Sequence, residues 1–136
     1  MTDKKNFPGS NIPPVERRRF IRIIEMCPLM FITPKGANGE GELVDLSLRG
    51  IRFTSGEILL VGERVRTVFI LSNGISLDLT GLVRHKKGGA RKWIYGLEFS
   101  IRDHRDLKEH IKLNNYILRV HAEQDNLLRE KLSRNK

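Results

Sequence analysis

Apolar and polar positions alternate with a period of two through the middle of the chain. Ile75, Leu77, Leu79 and Val83 alternate with Ser76, Asp78, Thr80 and Arg84, and Trp93, Tyr95, Leu97 and Phe99 alternate with Gly96, Glu98 and Ser100. Successive side chains of a strand point to opposite faces, so each run has one core face and one solvated face. Six β-prone runs are predicted, at 22–33, 41–46, 51–54, 64–71, 75–85 and 92–100. Turn-forming segments separate them, among them GANGEG at 36–41 and Asn73-Gly74, a strong signal for a primed hairpin turn. With no helical run between them the strands must pair antiparallel, and rolling them into a small barrel removes the exposed edges of an open sheet. Pro28 has no N–H to give a ladder, so it predicts an edge, bend or bulge in the first strand.

After Asp103 the period changes. Leu107, Ile111 and Leu118 fall near helical spacing, followed by Leu127, Leu128 and Leu132. Two helices are predicted, with a break at Asn114-Asn115, Asp103 capping the first, and Arg129, Lys131 and Arg134 suiting the C-terminal dipole of the second. The expected fold is mainly β: a six-stranded antiparallel β-barrel over 16–102 with C-terminal α-helices over 103–136. Residues 1–15 hold three prolines and few large apolar side chains, and are expected to form a flexible N-terminal arm.

Composition narrows the class of partner. A chain of 136 residues supports one core, and 25 Lys and Arg against 16 Asp and Glu leave a net charge of +9, which favours an anionic nucleotide, nucleic acid or membrane surface. The excess is concentrated: residues 16–22 carry +3 and residues 84–92 carry +5. A lone cysteine, Cys27, excludes an intrachain disulfide and a multi-thiolate metal site, and is expected to be buried and inert. No apolar run approaches the roughly 20 residues of a membrane span. No secretory leader is recognisable either, so a soluble, cytoplasmic protein is expected. His85, His104, His110 and His121 lack metal-ligand spacing, with Asp106 and His110 suggesting at most a surface ion pair. GANGEG lacks the Lys-Ser/Thr ending of a phosphate loop, and no Ser-His-Asp order or catalytic carboxylate pair can be assembled. Neither an enzyme, a metal nor a cofactor is expected.

Two motifs remain: ERRRFIRI at 16–23 and VDLSLRGIRF at 44–53. As an ordered pair they resemble the PilZ domain family, bacterial receptors for the second messenger cyclic di-GMP. The family fingerprint is RxxxR followed by (D/N)xSxxG, matched here without substitution by Arg18 and Arg22 and by Asp45, Ser47 and Gly50. The YGLEF run at 95–99 is similar to the family's closing strand, and the helical tail is similar to that of single-domain members.

The resemblance implies that Arg18, Arg22, Asp45, Ser47 and Gly50 bind cyclic di-GMP, with Arg17, Arg19 and Arg84 as further candidates. The chemistry is consistent. Cyclic di-GMP offers two phosphodiester charges and two guanines, whose O6 and N7 accept a guanidinium fork. Arg18 and Arg22 lie on one side of an extended segment, about 13 Å apart. Asp45 can accept from guanine N–H donors or hold an arginine, Ser47 is a compact donor and acceptor, and Gly50 lets the chain turn or come close to the ligand. The implied function is a receptor whose arginine arm folds across the barrel on binding and so modulates a downstream protein. Two other readings stay open: a basic barrel that binds RNA or DNA non-specifically through the 84–92 hairpin, and a ligand-independent adaptor. Taken singly, DLSLRG is also compatible with a plain turn closed by Asp or Ser. Trp93, Tyr95 and Phe99 fall on the core parity, which disfavours a base-stacking platform.

Overall fold

A computed structural model describes residues 21–134; Arg17, Arg18, Arg19 and the N-terminal arm lie outside the described residues. The elements are β1 (Ile23–Ile32), β2 (Asn38–Leu46), β3 (Gly50–Ser55), β4 (Arg64–Ile70), β5 (Ser76–Gly88), β6 (Trp93–Phe99) and α1 (His104–Arg134). All strand pairs are antiparallel, and the sheet closes as a barrel in the order β1-β2-β3-β6-β5-β4. The alternating residues form its interior: Leu77, Leu79, Val83, Tyr95 and Leu97 are buried with Leu29, Phe31, Leu43, Phe53 and Val65. Trp93 and Phe99 are only partly buried, against the two ends of this core.

Local chemistry explains the connections. The β1–β2 and β4–β5 hairpins each close with a three-residue loop whose third residue is a glycine at positive φ, Gly36 at 81° and Gly74 at 90°. Their N–H groups donate to Thr33 O at 2.9 Å and Leu71 O at 2.8 Å. Asn73-Gly74 therefore marks a hairpin, with one loop residue more than a primed turn. Pro28 lies just beyond a register shift between Ile24 and Cys27, and β1 pairs with β4 only from Leu29 onward. The missing N–H thus falls where β1 has no β4 partner to serve.

The C-terminal segment corrects the expectation of two helices: α1 is a single helix that runs through Asn114-Asn115. Leu113, Tyr116 and Ile117, on either side of the pair, are buried with the barrel core. Packing there outweighs the low helix propensity of asparagine, which is a weak preference. Asp103 caps the helix, its Oδ1 accepting the Asp106 N–H at 2.9 Å. Asp106 pairs not with His110 but with Arg102, whose backbone N–H it accepts at 3.0 Å. His110 stands edge-on to Phe99, and burial lowers its pKa.

Polar ties fix the helix to the barrel. Glu109 accepts the Asp78 N–H at 2.9 Å, Lys112 donates to Ser76 O at 2.9 Å, and Arg105 pairs with Asp78. Tyr116 donates to the buried Glu25 of β1, which also accepts the Ser72 N–H at 2.9 Å. Among the described residues no helix is long and apolar enough to cross a membrane.

Candidate functional site: a guanidinium cleft between two β-bulges

An unbroken period of two would place Leu43 and Asp45 in the core and turn Leu46 outward. The register instead shifts in β2 between Leu43 and Asp45: Leu43 stands opposite Phe53, Asp45 opposite Arg52, and Leu46 opposite Ile51. The extra residue is Val44, and its bulge lets Leu43 and Leu46 both face inward while Asp45 joins the outer face. A second shift, between Val83 and His85, does the same in β5 and leaves Arg84 and His85 both exposed. Both bulges border one cleft of about 730 Å³, lined among others by Arg22, Arg49, Arg52, Arg84, His85, Lys87, Ile94, Gly96 and Glu98. Its size is that of a small-molecule site.

Two carboxylates organise the cations. Asp45, 2% exposed, accepts Arg22 Nη1 on Oδ1 at 2.6 Å and the Nε and Nη2 of Arg52 on Oδ2, the former at 2.8 Å. Hydrogen bonding to Asp45 pushes the Arg52 pKa up. Glu98 accepts Arg84 Nε at 2.8 Å and Arg49 Nη2 at 3.2 Å, and the Arg84 hydrogen bond, opposed by burial and helped to a lesser degree by Arg49, holds its carboxyl below the usual range. Each acid therefore neutralises one of two guanidinium groups, and the four arginines with Lys87 leave an electropositive cleft. The side chains of Arg22, Arg49, Arg52 and Arg84 are 48–61% exposed, so the guanidinium groups lie at the surface of the cleft and are not buried beneath it.

The β2–β3 turn supplies the remaining motif residues. Ser47 is 1% exposed; its Oγ accepts the N–H groups of Arg49 at 3.2 Å and Gly50 at 3.3 Å and donates to Gly50 O. Its hydroxyl thus builds the turn that presents Arg49. At Gly50 a Cβ would meet Leu97 O at 2.0 Å, so glycine is required here by the close approach of β6. Gly96 lies between Arg52 on β3 and His85 on β5, and a Cβ there would stand 3.2 Å from the His85 side chain, so the glycine makes room for that ring.

Of the residues expected at the site, Arg22, Asp45, Ser47, Gly50 and Arg84 gather around this cleft, and Arg17, Arg18 and Arg19 lie outside the described residues. Sequence reasoning missed Arg52, Arg49 and Glu98 as participants. Arg52 had a signal, being two residues from Gly50 on the polar parity of β3; Glu98 had none, since its role depends on the pairing of β3 with β6. Among the described residues that line the cleft there is no Phe, Tyr or Trp.

The PilZ domain model matches residues 16–117. The chain belongs to the PilZ domain family, a family of non-catalytic cyclic di-GMP receptor modules. Solved structures agree on the fold. The PilZ domain of CeSA from a cellulose-synthesising bacterium is 21% identical with a TM-score of 0.52, over 68% of this chain and 93% of that one. The Bacillus subtilis inhibitor of motility MotI/DgrA is 19% identical with a TM-score of 0.62, over 82% of this chain and 57% of that one. The PilZ domain of Escherichia coli YcgR, solved with cyclic di-GMP, is 15% identical with a TM-score of 0.57, over 81% of this chain and 98% of that one. No curated protein matches the sequence.

Proposed function

We propose that the guanidinium cleft binds cyclic di-GMP and that this chain is a receptor that passes ligand occupancy to a downstream protein. The observation that carries the reading is the pairing of Arg22 and Arg52 on one buried aspartate, which aims two guanidinium groups at the mouth of an electropositive cleft. Phosphodiester oxygens and guanine O6 and N7 are natural acceptors for these forks. Arg22 and Arg18 act as the two forks of the RxxxR motif, Asp45 holds Arg22 in its working rotamer, and Ser47 and Gly50 shape the turn beside the ligand. Arg84 and, from the segment that precedes β1, Arg17 and Arg19 add charge. Charge-assisted bonds contribute about 1.5–3 kcal/mol each, so three or four account for an affinity of about micromolar or tighter. Binding neutralises the arginines and changes the surface a partner reads. A cytoplasmic setting follows from that ligand.

None of the described lining residues is aromatic, which weighs against single-stranded nucleic acid, whose binding uses stacking platforms. Isothermal titration with cyclic di-GMP, with cyclic GMP as control, tests the reading. Wild type is expected to bind and Arg22→Ala to lose at least about tenfold in affinity, one charge-assisted bond's worth. Equal affinity in the two proteins removes Arg22 from the site, and no binding by wild type removes the function.

A further inference from the structure

Three connections leave the same end of the barrel: the β1–β2 loop, the β3–β4 loop at 56–63 and the β5–β6 turn at 89–92. The β3–β4 loop reads GEILLVGE. Leu59 is 1% exposed and its N–H donates to the Tyr95 hydroxyl at 2.9 Å, whereas its neighbours Ile58, Leu60 and Val61 are 70%, 66% and 61% exposed. The loop does not fray: Gly62 N–H donates to Val83 O at 2.7 Å, Val83 N–H to Glu63 O at 2.9 Å, and Glu63 N–H to Leu60 O at 3.0 Å. Three aliphatic side chains are thus held out in water by a rigid support, where folding alone gains nothing from them.

The same end of the barrel carries exposed cations. A Cβ at Gly56 would stand 3.7 Å from the Arg91 carbonyl, which sets the basic hairpin turn beside the loop. Arg91 and Lys92 of that turn are exposed, as is Lys35 in the third loop. Glu57 and Glu63 are the acids of the loop, and Glu63 is engaged by the Leu60 N–H at 3.0 Å.

We propose that this end of the barrel docks peripherally on an anionic lipid surface, with Ile58, Leu60 and Val61 entering the headgroup boundary and Lys35, Arg91 and Lys92 facing the headgroups. A nucleic acid uses such cations but gains nothing from the aliphatics. A lipid interface rewards both, and neither alone suffices for stable attachment. Nothing in this depends on what the guanidinium cleft binds, and none of these six residues lines that cleft.

Co-sedimentation of the full chain with phosphatidylcholine vesicles, with and without about a third phosphatidylglycerol, tests the proposal. Wild type is expected to bind the anionic vesicles at least about tenfold more tightly than the neutral ones. The triple variants Ile58→Ser/Leu60→Ser/Val61→Ser and Lys35→Glu/Arg91→Glu/Lys92→Glu are each expected to lose about tenfold or more. Thermal melting checks that they fold, and the single exposed change Leu60→Ser, expected to lose about threefold, serves if a triple variant does not. Absence of wild-type binding, equal binding to both vesicles, or wild-type affinity in folded variants of either kind overturns the proposal. Retention of duplex DNA by wild type and the aliphatic variant alike, with vesicles ignored, assigns the basic rim to nucleic acid instead.

Discussion

Asp45 on β2 stands opposite Arg52 on β3, and a single oxygen of its carboxylate accepts two N–H groups of that guanidinium while the other oxygen accepts Arg22. The acid is buried and both arginines are about half exposed, at 48% and 53%. Solvent screens such pairs, so their role is more one of aim than of stability. Asp45→Asn keeps the shape and removes the charge. Its expected cost in urea denaturation is about 1 kcal/mol, against a loss of at least about tenfold in cyclic di-GMP affinity by calorimetry as both forks lose their orientation. A large stability loss with unchanged affinity assigns Asp45 a purely structural role.

Glu98 acts in the opposite sense. Its carboxylate engages Arg84 and Arg49, and an anionic ligand in the cleft must compete with it for the same N–H groups. Glu98→Gln is therefore expected to tighten cyclic di-GMP binding by about three- to tenfold and to steepen its dependence on salt. Weaker binding in the variant, measured by the same titration, shows that Glu98 aims the two arginines instead of occupying them.

Much of this barrel is legible in the sequence because strand alternation is local: Leu77, Leu79 and Val83 or Tyr95 and Leu97 announce their inward face without reference to any other strand. Two features escape such reasoning. The bulge at Val44 depends on pairing with β3, and no residue in VDLSL reveals that Asp45 and Leu46 will leave strict alternation. Helix continuity across Asn114-Asn115 depends on where the barrel lies, because Leu113, Tyr116 and Ile117 are fixed from outside the helix. The RxxxR and DxSxxG motifs marked the cleft through Arg22 and Asp45, yet Arg49 and Glu98, which meet only when β3 pairs with β6, could be joined only in three dimensions.

Gly50 separates a packing requirement from a binding one. A Cβ there would lie 2.0 Å from Leu97 O, a backbone atom that cannot rotate away, so β3 and β6 must part to admit it. Gly50→Ala is expected to lower stability by about 2–3 kcal/mol in urea melts. The equivalent change at Gly36, where φ is 81° and nothing lies within 4 Å, costs only backbone strain, about 1 kcal/mol. A Gly50→Ala protein as stable as wild type contradicts the close approach of the two strands.

Attachment of α1 to the barrel carries a pH dependence through Asp78. Burial raises the pKa of this carboxyl, but hydrogen bonds from Arg66 and then Arg105 outweigh it and leave the group below its ordinary value of 3.8. A carboxyl whose pKa is depressed on folding contributes stability that is complete above its unfolded-state value and lost as pH falls through the folded value. The contribution is therefore intact at neutral pH and begins to decline once the pH falls below about 4. Arg105 lies on the helix and Arg66 on β4, so protonation of Asp78 loosens the first turns of α1 from the barrel. In wild type, the urea midpoint is expected to fall between pH 7 and pH 3 by more than in Asp78→Asn, which has no charge to lose. Hydrogen exchange at low pH should accelerate first over the amides of residues 107–113 in wild type, where the tie to Asp78 is closest. Parallel pH profiles for the two proteins exclude Asp78 as the titrating link.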